Sequence, residues 1–296
     1  MRKCRDVTLE LDDLREGGTA QTLVNALDRV LIDLSSVAGT SPQLERVIEA
    51  YVRWADAAAA ELSQVLSVAA VEDWVYNDRH WRLREMPTSL QLPARDYLRL
   101  DLERRRRELT ELRDLSQAAT RRWAEAGDLL VLDTNLLLDV LGKHSGSPVD
   151  IDWNHEISSR NDICLVIPLA ILQELDKLKR GTSKVRSMAH AAIRWIDQHL
   201  PTDGRRVQLR AGTTSSNGAT SIRQFASLYI ELYADRRAHQ QSDTDLTIIE
   251  NAQTLARISG RRTVLATRDI NMRVRAGVYG VEARPIATLS PAGGSG

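Results

Sequence analysis

Asp133 closes the apolar run LLVLD (129–133), and Asn135 stands two residues on, before the chain turns apolar again. A buried carboxylate without a partner costs several kcal/mol even after relaxation, so it calls for a donor, a cation or water. Other segments carry acids in similar settings. ICLVI (163–167) leads through Pro168 into LAILQELDKLKR, where Glu174 lies nearly two turns into a helix. LATRDIN supplies Thr267, Asp269 and Asn271, while Asp243 and Asp245 stand just before the amphipathic stretch LTIIENAQTLA. No histidines or thiols at ligand spacing accompany these acids, which disfavours zinc. Clustered carboxylates repel one another, and a divalent cation resolves the repulsion. All-oxygen donors suit Mg2+ or Mn2+, and one or two such ions could polarise a phosphate oxygen and activate water for in-line attack.

Each acid also has a plainer reading. Asp133, Asp243 or Asp245, and Asp269 could cap the helices that follow them. Glu174 could pair in solvent with Lys177. Asp176, two positions from Glu174, points away around the helix and reads as structural. These readings do not explain why the acids fall at the same end of one inferred sheet.

The elements that must position them differ between the two halves of the 296-residue chain. In the first half apolar residues recur at four and three. One series is Leu23, Leu27, Val30, Leu34 and Val37, and a second runs from Leu44 through Ile48, Tyr51, Ala55, Ala58, Leu62 and Val65 to Ala69. A third, Leu98, Leu102, Leu109, Leu112, Ala119 and Trp123, is broken by Arg105 and Ser116. Such stripes predict an antiparallel helical bundle or coiled-coil hairpin. Ser41-Pro42 signals a helix start, and EMPTSLQLP (85–93) marks the break between the second and third helices. From residue 129 the period changes to short continuous apolar runs: LLVLD, ICLVI, RVQL (206–209), TVLAT (263–267) and VEARPI (281–286). Helix-like segments separate most of them, which predicts a parallel sheet covered on both faces, an α/β fold. Ligands of such sheets bind outside the carboxyl ends of the strands, where strand order reverses. The expected organisation is a helical domain over 1–126, an α/β/α domain over 127–290 and a flexible tail over 291–296. RAGTTSSNGAT (210–220) reads as an exposed, mobile loop.

Forty basic and forty acidic residues cancel, so no global field points to nucleic acid or a membrane. Cys4 and Cys164 are too few and too far apart for a disulfide framework and suggest a reducing compartment. The longest apolar run, ICLVIPLAIL, is about half the length of a membrane span, and the N-terminus lacks the apolar core of a signal peptide. The expectation is a soluble, cytoplasmic protein.

Four segments resemble the PIN domain, the metal-dependent nuclease fold. LVLDTNLLLD is similar to the family's opening Asp-Thr-Asn strand end, VIPLAILQELDKLKRG to its second strand and helix, DTDLTIIENA to its third motif, and LATRDINMRVRAGVYGV to its last. The resemblance covers about residues 128–286. It implies a ribonuclease or structure-specific nuclease whose Mg2+ or Mn2+ is held by Asp133, Glu174, Asp245 and Asp269. It further implies Asp243 as an outer ligand, with Asn135, Thr267 and Asn271 as orienting groups. It leaves residues 1–126 unexplained, which sets the chain apart from the family's short stand-alone toxins.

A nuclease needs basic groups for the phosphates flanking the cut. Lys177, Lys179, Arg180, Lys184 and Arg186 follow Glu174, and Arg268, Arg273 and Arg275 adjoin Asp269. In WVYNDRHWRLR (74–84) aromatics and arginines could stack single-stranded bases, although they more often pack a helix end. Arg104–Arg107 reads as an exposed helical turn paired with Glu103 and Glu108. The expected activity is endoribonucleolytic, on RNA that is most simply single-stranded, with the helical domain supplying self-association, substrate choice or a protein contact. Two rivals stand beside it: a non-catalytic RNA-binding scaffold, and a haloacid-dehalogenase-like phosphohydrolase. The second would need an aspartate where Asn135 stands. A dinucleotide-binding dehydrogenase would need a Gly-x-Gly-x-x-Gly after the first strand, which is absent.

Overall fold

A computed structural model of the chain describes residues 14–15, 17–37, 43–85, 91–143, 147–201, 205–217, 220–233 and 243–286. The helix start expected at Ser41-Pro42, the centre of the break expected at 85–93, and the tail 291–296 lie outside the described residues. The chain divides into two compact units. One runs through Trp123 and includes Arg257–Gly260; the other runs from Ala124 to Ala256 and resumes at Arg261.

The first unit is a helical bundle. Helix α1 (Ala20–Val37) buries Leu23, Leu27, Val30, Leu34 and Val37 along the stripe its spacing predicts. Helix α2 (Leu44–Leu62) buries Tyr51, Ala55, Ala58 and Leu62 on the same rule. The stripe expected to continue to Ala69 ends at Leu62. A turn carries Val65 and Leu66 into the core, and Ser67 then caps α3 (Val68–Trp74) by accepting from the Ala70 amide at 3.3 Å. Helix α4 (Asp78–Arg84) is capped by Asn77, and the long α5 (Gln91–Trp123) packs against α1 and α2.

The two residues that break the α5 stripe in sequence are themselves buried. Ser116 donates to the Leu112 carbonyl at 2.8 Å. Arg105, expected on an exposed turn, is 1% exposed. Its guanidinium donates to Asp101 at 2.7 Å, to the Val75 carbonyl at 2.9 Å and to Asn77 at 3.0 Å, and lies 5.4 Å from the Tyr51 ring centre. Carboxylate, carbonyl and amide acceptors together offset the desolvation of the charge. Arg104 does pair with Glu108, at 2.9 Å. In the WVYNDRHWRLR segment Arg79 is taken up by Glu108 and Asp101, and Tyr76, His80 and Trp81 pack on one another.

The second unit is a three-layer α/β/α fold. Its strands are β1 (Asp128–Leu132), β2 (Ile163–Pro168), β3 (Val207–Arg210), β4 (Thr213–Asn217), β5 (Thr220–Phe225), β6 (Leu228–Tyr233), β7 (Thr263–Ala266) and β8 (Glu282–Arg284). Its helices are α6 (Thr134–Lys143), the short α7 (Trp153–Glu156), α8 (Leu169–Leu178), α9 (Ser183–His199), α10 (Thr244–Ser259, of which the part through Ala256 belongs to this unit) and α11 (Ile270–Val278). The main sheet runs β3-β6-β2-β1-β7-β8. Every pair is parallel except β3 with β6. All residues of β1, β2 and β7 are buried, as their continuous apolar runs require of strands covered on both faces.

Two features depart from the sequence reading. LYIELY forms β6, an interior strand beside β2 that was not anticipated. Part of the expected loop 210–220 is strand: β4 and β5 pair antiparallel as a separate two-stranded sheet. The main chain fixes the entry to β1 at Gly127. Its φ is +70°, and a Cβ there would sit 2.0 Å from the Asp162 carbonyl oxygen, so only glycine fits. Among the described residues no helix is long and apolar enough to cross a membrane.

Candidate active site

From β1 the chain proceeds to β2 and β6 on one side, then returns to place β7 and β8 on the other. Strand order therefore reverses between β1 and β7, and the crevice outside their carboxyl ends is where an open α/β sheet offers a site. Asp133 follows the last residue of β1, with its amide bonded to the Ala266 carbonyl of β7 at 3.0 Å. Its side chain is 1% exposed. The Thr267 hydroxyl donates to Asp133 Oδ2 at 2.8 Å, and that same oxygen of Thr267 accepts from the Asp269 amide at 3.0 Å. As a helix cap Asp133 is poor, since the Asn135 amide reaches its Oδ1 only at 3.4 Å. Burial, more than anything else, raises the Asp133 carboxyl from 3.8 to about 6, against the Thr267 and Asn135 hydrogen bonds, and the like charges of Asp245 and Glu174 push the same way.

Glu174 sits on the inward face of α8. Ala170 and Ile171, one turn earlier, are buried and Leu178, one turn later, is half-buried. The Thr134 hydroxyl donates to its Oε2 at 2.5 Å. The solvated pairing with Lys177 is thus not what this side chain makes. Asp176, on the opposite face, is exposed and bonded to Lys179 at 2.9 Å. Asp245 shares one face of α10 with Ile248, Ile249 and Ala252, all fully buried. No hydrogen bond reaches its side chain among the described residues. Burial first, then Asp243 and Asp269, raises its carboxyl above the ordinary value, against the pull of Arg275.

Asp243 and Asp269 do have structural work. Asp269 caps α11, accepting from Asn271 at 2.7 Å and Met272 at 3.3 Å. Asp243 caps α10 through the Leu246 amide at 3.1 Å and bonds Arg275 at 2.7 Å, which holds its carboxyl below the usual range. Asn135 and Asn271 are exposed. Three acids without a cap to make (Asp133, Glu174 and Asp245) thus stand with two that cap helices at the same end of the sheet. Thr134 is the group the sequence reading passed over; its place inside Asp-Thr-Asn was the available signal.

Among the described residues no three acidic, imidazole or thiol groups are drawn closely enough to enclose an ion as they stand. The chemistry of the donors nevertheless fits a hard cation: they are carboxylate, amide and hydroxyl oxygens, and two of the carboxyls hold protons more tightly than usual because of burial and mutual repulsion. The basic residues divide. Lys177, Arg180, Lys184 and Arg186 are exposed around the α8–α9 corner and carry no ion pair among the described residues. Lys179 is bonded to Asp176 and Arg275 to Asp243. Arg268 bridges Asp139 at 2.9 Å and the Ile286 carbonyl at 2.8 Å, and Arg273 buries its Nε with no hydrogen-bond partner among the described residues.

A family model described as PIN domain matches residues 130–287. No curated protein matches the chain. Among solved structures, a domain of a functionally unknown protein from Methanocaldococcus jannaschii DSM 2661 matches at 17% identity, over 56% of this chain and 94% of that one, with a TM-score of 0.31.

Proposed function

The chain belongs to the PIN-domain family, whose members are generally nucleases, and from that premise we propose that it is a Mg2+- or Mn2+-dependent endoribonuclease acting on single-stranded RNA. The observation that carries this reading is the buried Asp133 carboxylate at the strand-order reversal, which feels the like charges of Asp245 and Glu174 and, among the described residues, has no cationic side chain bonded to it. A fold does not keep three acids together at a crevice for its own stability.

Asp133, Glu174 and Asp245 would hold the cation, with Asp269 beside them and Asp243 outside. When bound, the cation supplies Lewis acidity toward a phosphate oxygen and eases deprotonation of water. The protein's own groups do the rest. Thr267 donates to Oδ2 of Asp133 and so orients that carboxylate. Asn135 and Asn271, exposed at the starts of α6 and α11, can hydrogen-bond a sugar or a phosphate. Lys177, Arg180, Lys184 and Arg186 supply exposed positive charge for the flanking backbone. The ion pairs of Arg268 and Arg275 make those two residues positioning groups first and phosphate ligands second. Family membership removes the phosphohydrolase reading.

The test is cleavage of end-labelled single-stranded RNA and DNA by the full chain with Mg2+, Mn2+ or EDTA, beside Asp133→Asn. Cleavage of RNA that disappears with EDTA and with the substitution supports the assignment. RNA binding that ignores both, without cleavage, overturns it in favour of a non-catalytic RNA-binding protein.

A further inference from the structure

Hydroxyls inside the helices of this protein have a common habit. Ser116, Thr120, Thr247 and Thr254 each donate to the carbonyl four residues back, at 2.8 to 3.0 Å. Such bonds are the local default for a helical serine or threonine. Thr134, at the first position of α6, does otherwise. It is 1% exposed, and its hydroxyl crosses to α8, forty residues on, to donate to Glu174 Oε2. That is the single hydrogen bond Glu174 receives among the described residues. A helical threonine has two accessible χ1 rotamers, and the bond to Glu174 selects the one that points at α8.

A hydroxyl has one proton to give. Committed to Oε2, it takes up one of that oxygen's two lone pairs and draws charge from it, which makes Oε1 the better donor to a cation. We propose that Thr134 is a positioning residue that biases Glu174 toward coordination through one oxygen and thereby tilts the ion selectivity of the site; this deepens the nuclease reading and rests on it. A small ion that insists on near-octahedral geometry accepts one oxygen per carboxylate, whereas Ca2+ readily takes both. Thr134 therefore favours Mg2+ and Mn2+ over Ca2+ through Glu174, without touching the ion.

Titration calorimetry with Mg2+ and with Ca2+, on the full chain, reads this directly. In Thr134→Val, which keeps the shape and removes the donor, the ratio of Mg2+ to Ca2+ affinity falls about tenfold, a typical effect for a group bonded to a ligand. Thr134→Ser restores most of it, and in a Glu174→Gln background Thr134→Val changes nothing further. Thr134→Ala serves in the same way should the valine variant fold poorly. An unchanged ratio in a wild-type-like binder, or a loss that persists without Glu174, overturns the positioning role and leaves the nuclease reading standing. A native protein that binds neither ion and cuts no RNA overturns both.

Discussion

Strand β1 carries a buried aspartate at each end, and the two are treated oppositely. Asp128, 4% exposed at the start of the strand, accepts from Ser159 at 2.8 Å and Asn161 at 2.9 Å and faces the Arg262 guanidinium at 3.4 Å. Arg262 is itself bonded to Glu282 and the Ile157 carbonyl. Asp133, past the other end, has among the described residues one short hydrogen bond, from Thr267, and two acids whose charges reach it. Same residue type, same strand, similar burial: one is neutralised and tied, the other is left with its charge unanswered. The first pattern holds sheet edges and loops together, and the second is what chemistry requires and stability does not.

The sharpest way to break this contrast is substitution at Asp133. Asp133→Asn should lower metal-dependent RNA cleavage about 100-fold or more, while the urea midpoint of the metal-free protein stays level or rises, because the variant removes a disfavoured charge. A variant that unfolds more easily and still cuts would make Asp133 a second Asp128. Asp128→Ala should do the reverse. Leaving Ser159, Asn161 and part of Arg262 without their acceptor should cost about 2–3 kcal/mol, read by urea unfolding, with cleavage by the folded fraction unchanged.

A pH series in EDTA sharpens the contrast further. Asp133 titrates near 6 when folded and at 3.8 as a free side chain. The folded chain therefore takes up the proton first as pH falls. Ionised Asp133 opposes folding in full above pH 6, and the opposition fades between about 6 and 3.8. Between neutral pH and about 4 the native protein should gain, relative to Asp133→Asn, on the order of 2 kcal/mol. A parallel course for the two proteins would refute the buried-charge account. Smallest of all, Asp176→Ala should leave both cleavage and the unfolding midpoint where they were, since Asp176 faces solvent and makes an exposed pair with Lys179.

The legible parts of this molecule are those in which one physical demand dominates a stretch of sequence. Burial on both faces writes continuous apolar runs, so β1, β2 and β7 could be read, and with them the polar residues at their ends. The α1 and α2 stripes were plain for the same reason, as was the opposed placement of Glu174 and Asp176 on α8. β6 was not legible. Its LYIELY mixes polar and apolar residues because Glu231 is buried there against Arg206, at 3.0 Å and twenty-five residues away in sequence. Arg105 looked like surface because its acceptors Val75 and Asn77 lie about thirty residues upstream. The hydroxyl contacts of Thr134 and Thr267 escape for a related reason: a donor's partner across the sheet leaves no local pattern. Composition reveals which residues can be buried; only the assembled fold reveals who answers them.

The order in which the chain is made adds a consequence. The bond from Thr267 to Asp133 joins residues 134 apart, and β7, which flanks β1, is among the last strands in sequence. Contacts of such separation form late, after the intervening chain exists to be folded. On the ribosome, a nascent chain that has already completed β1, β2 and α8 still lacks Asp245, Thr267 and Asp269. The acids around Asp133 therefore come together only once β7 has been made and has paired with β1.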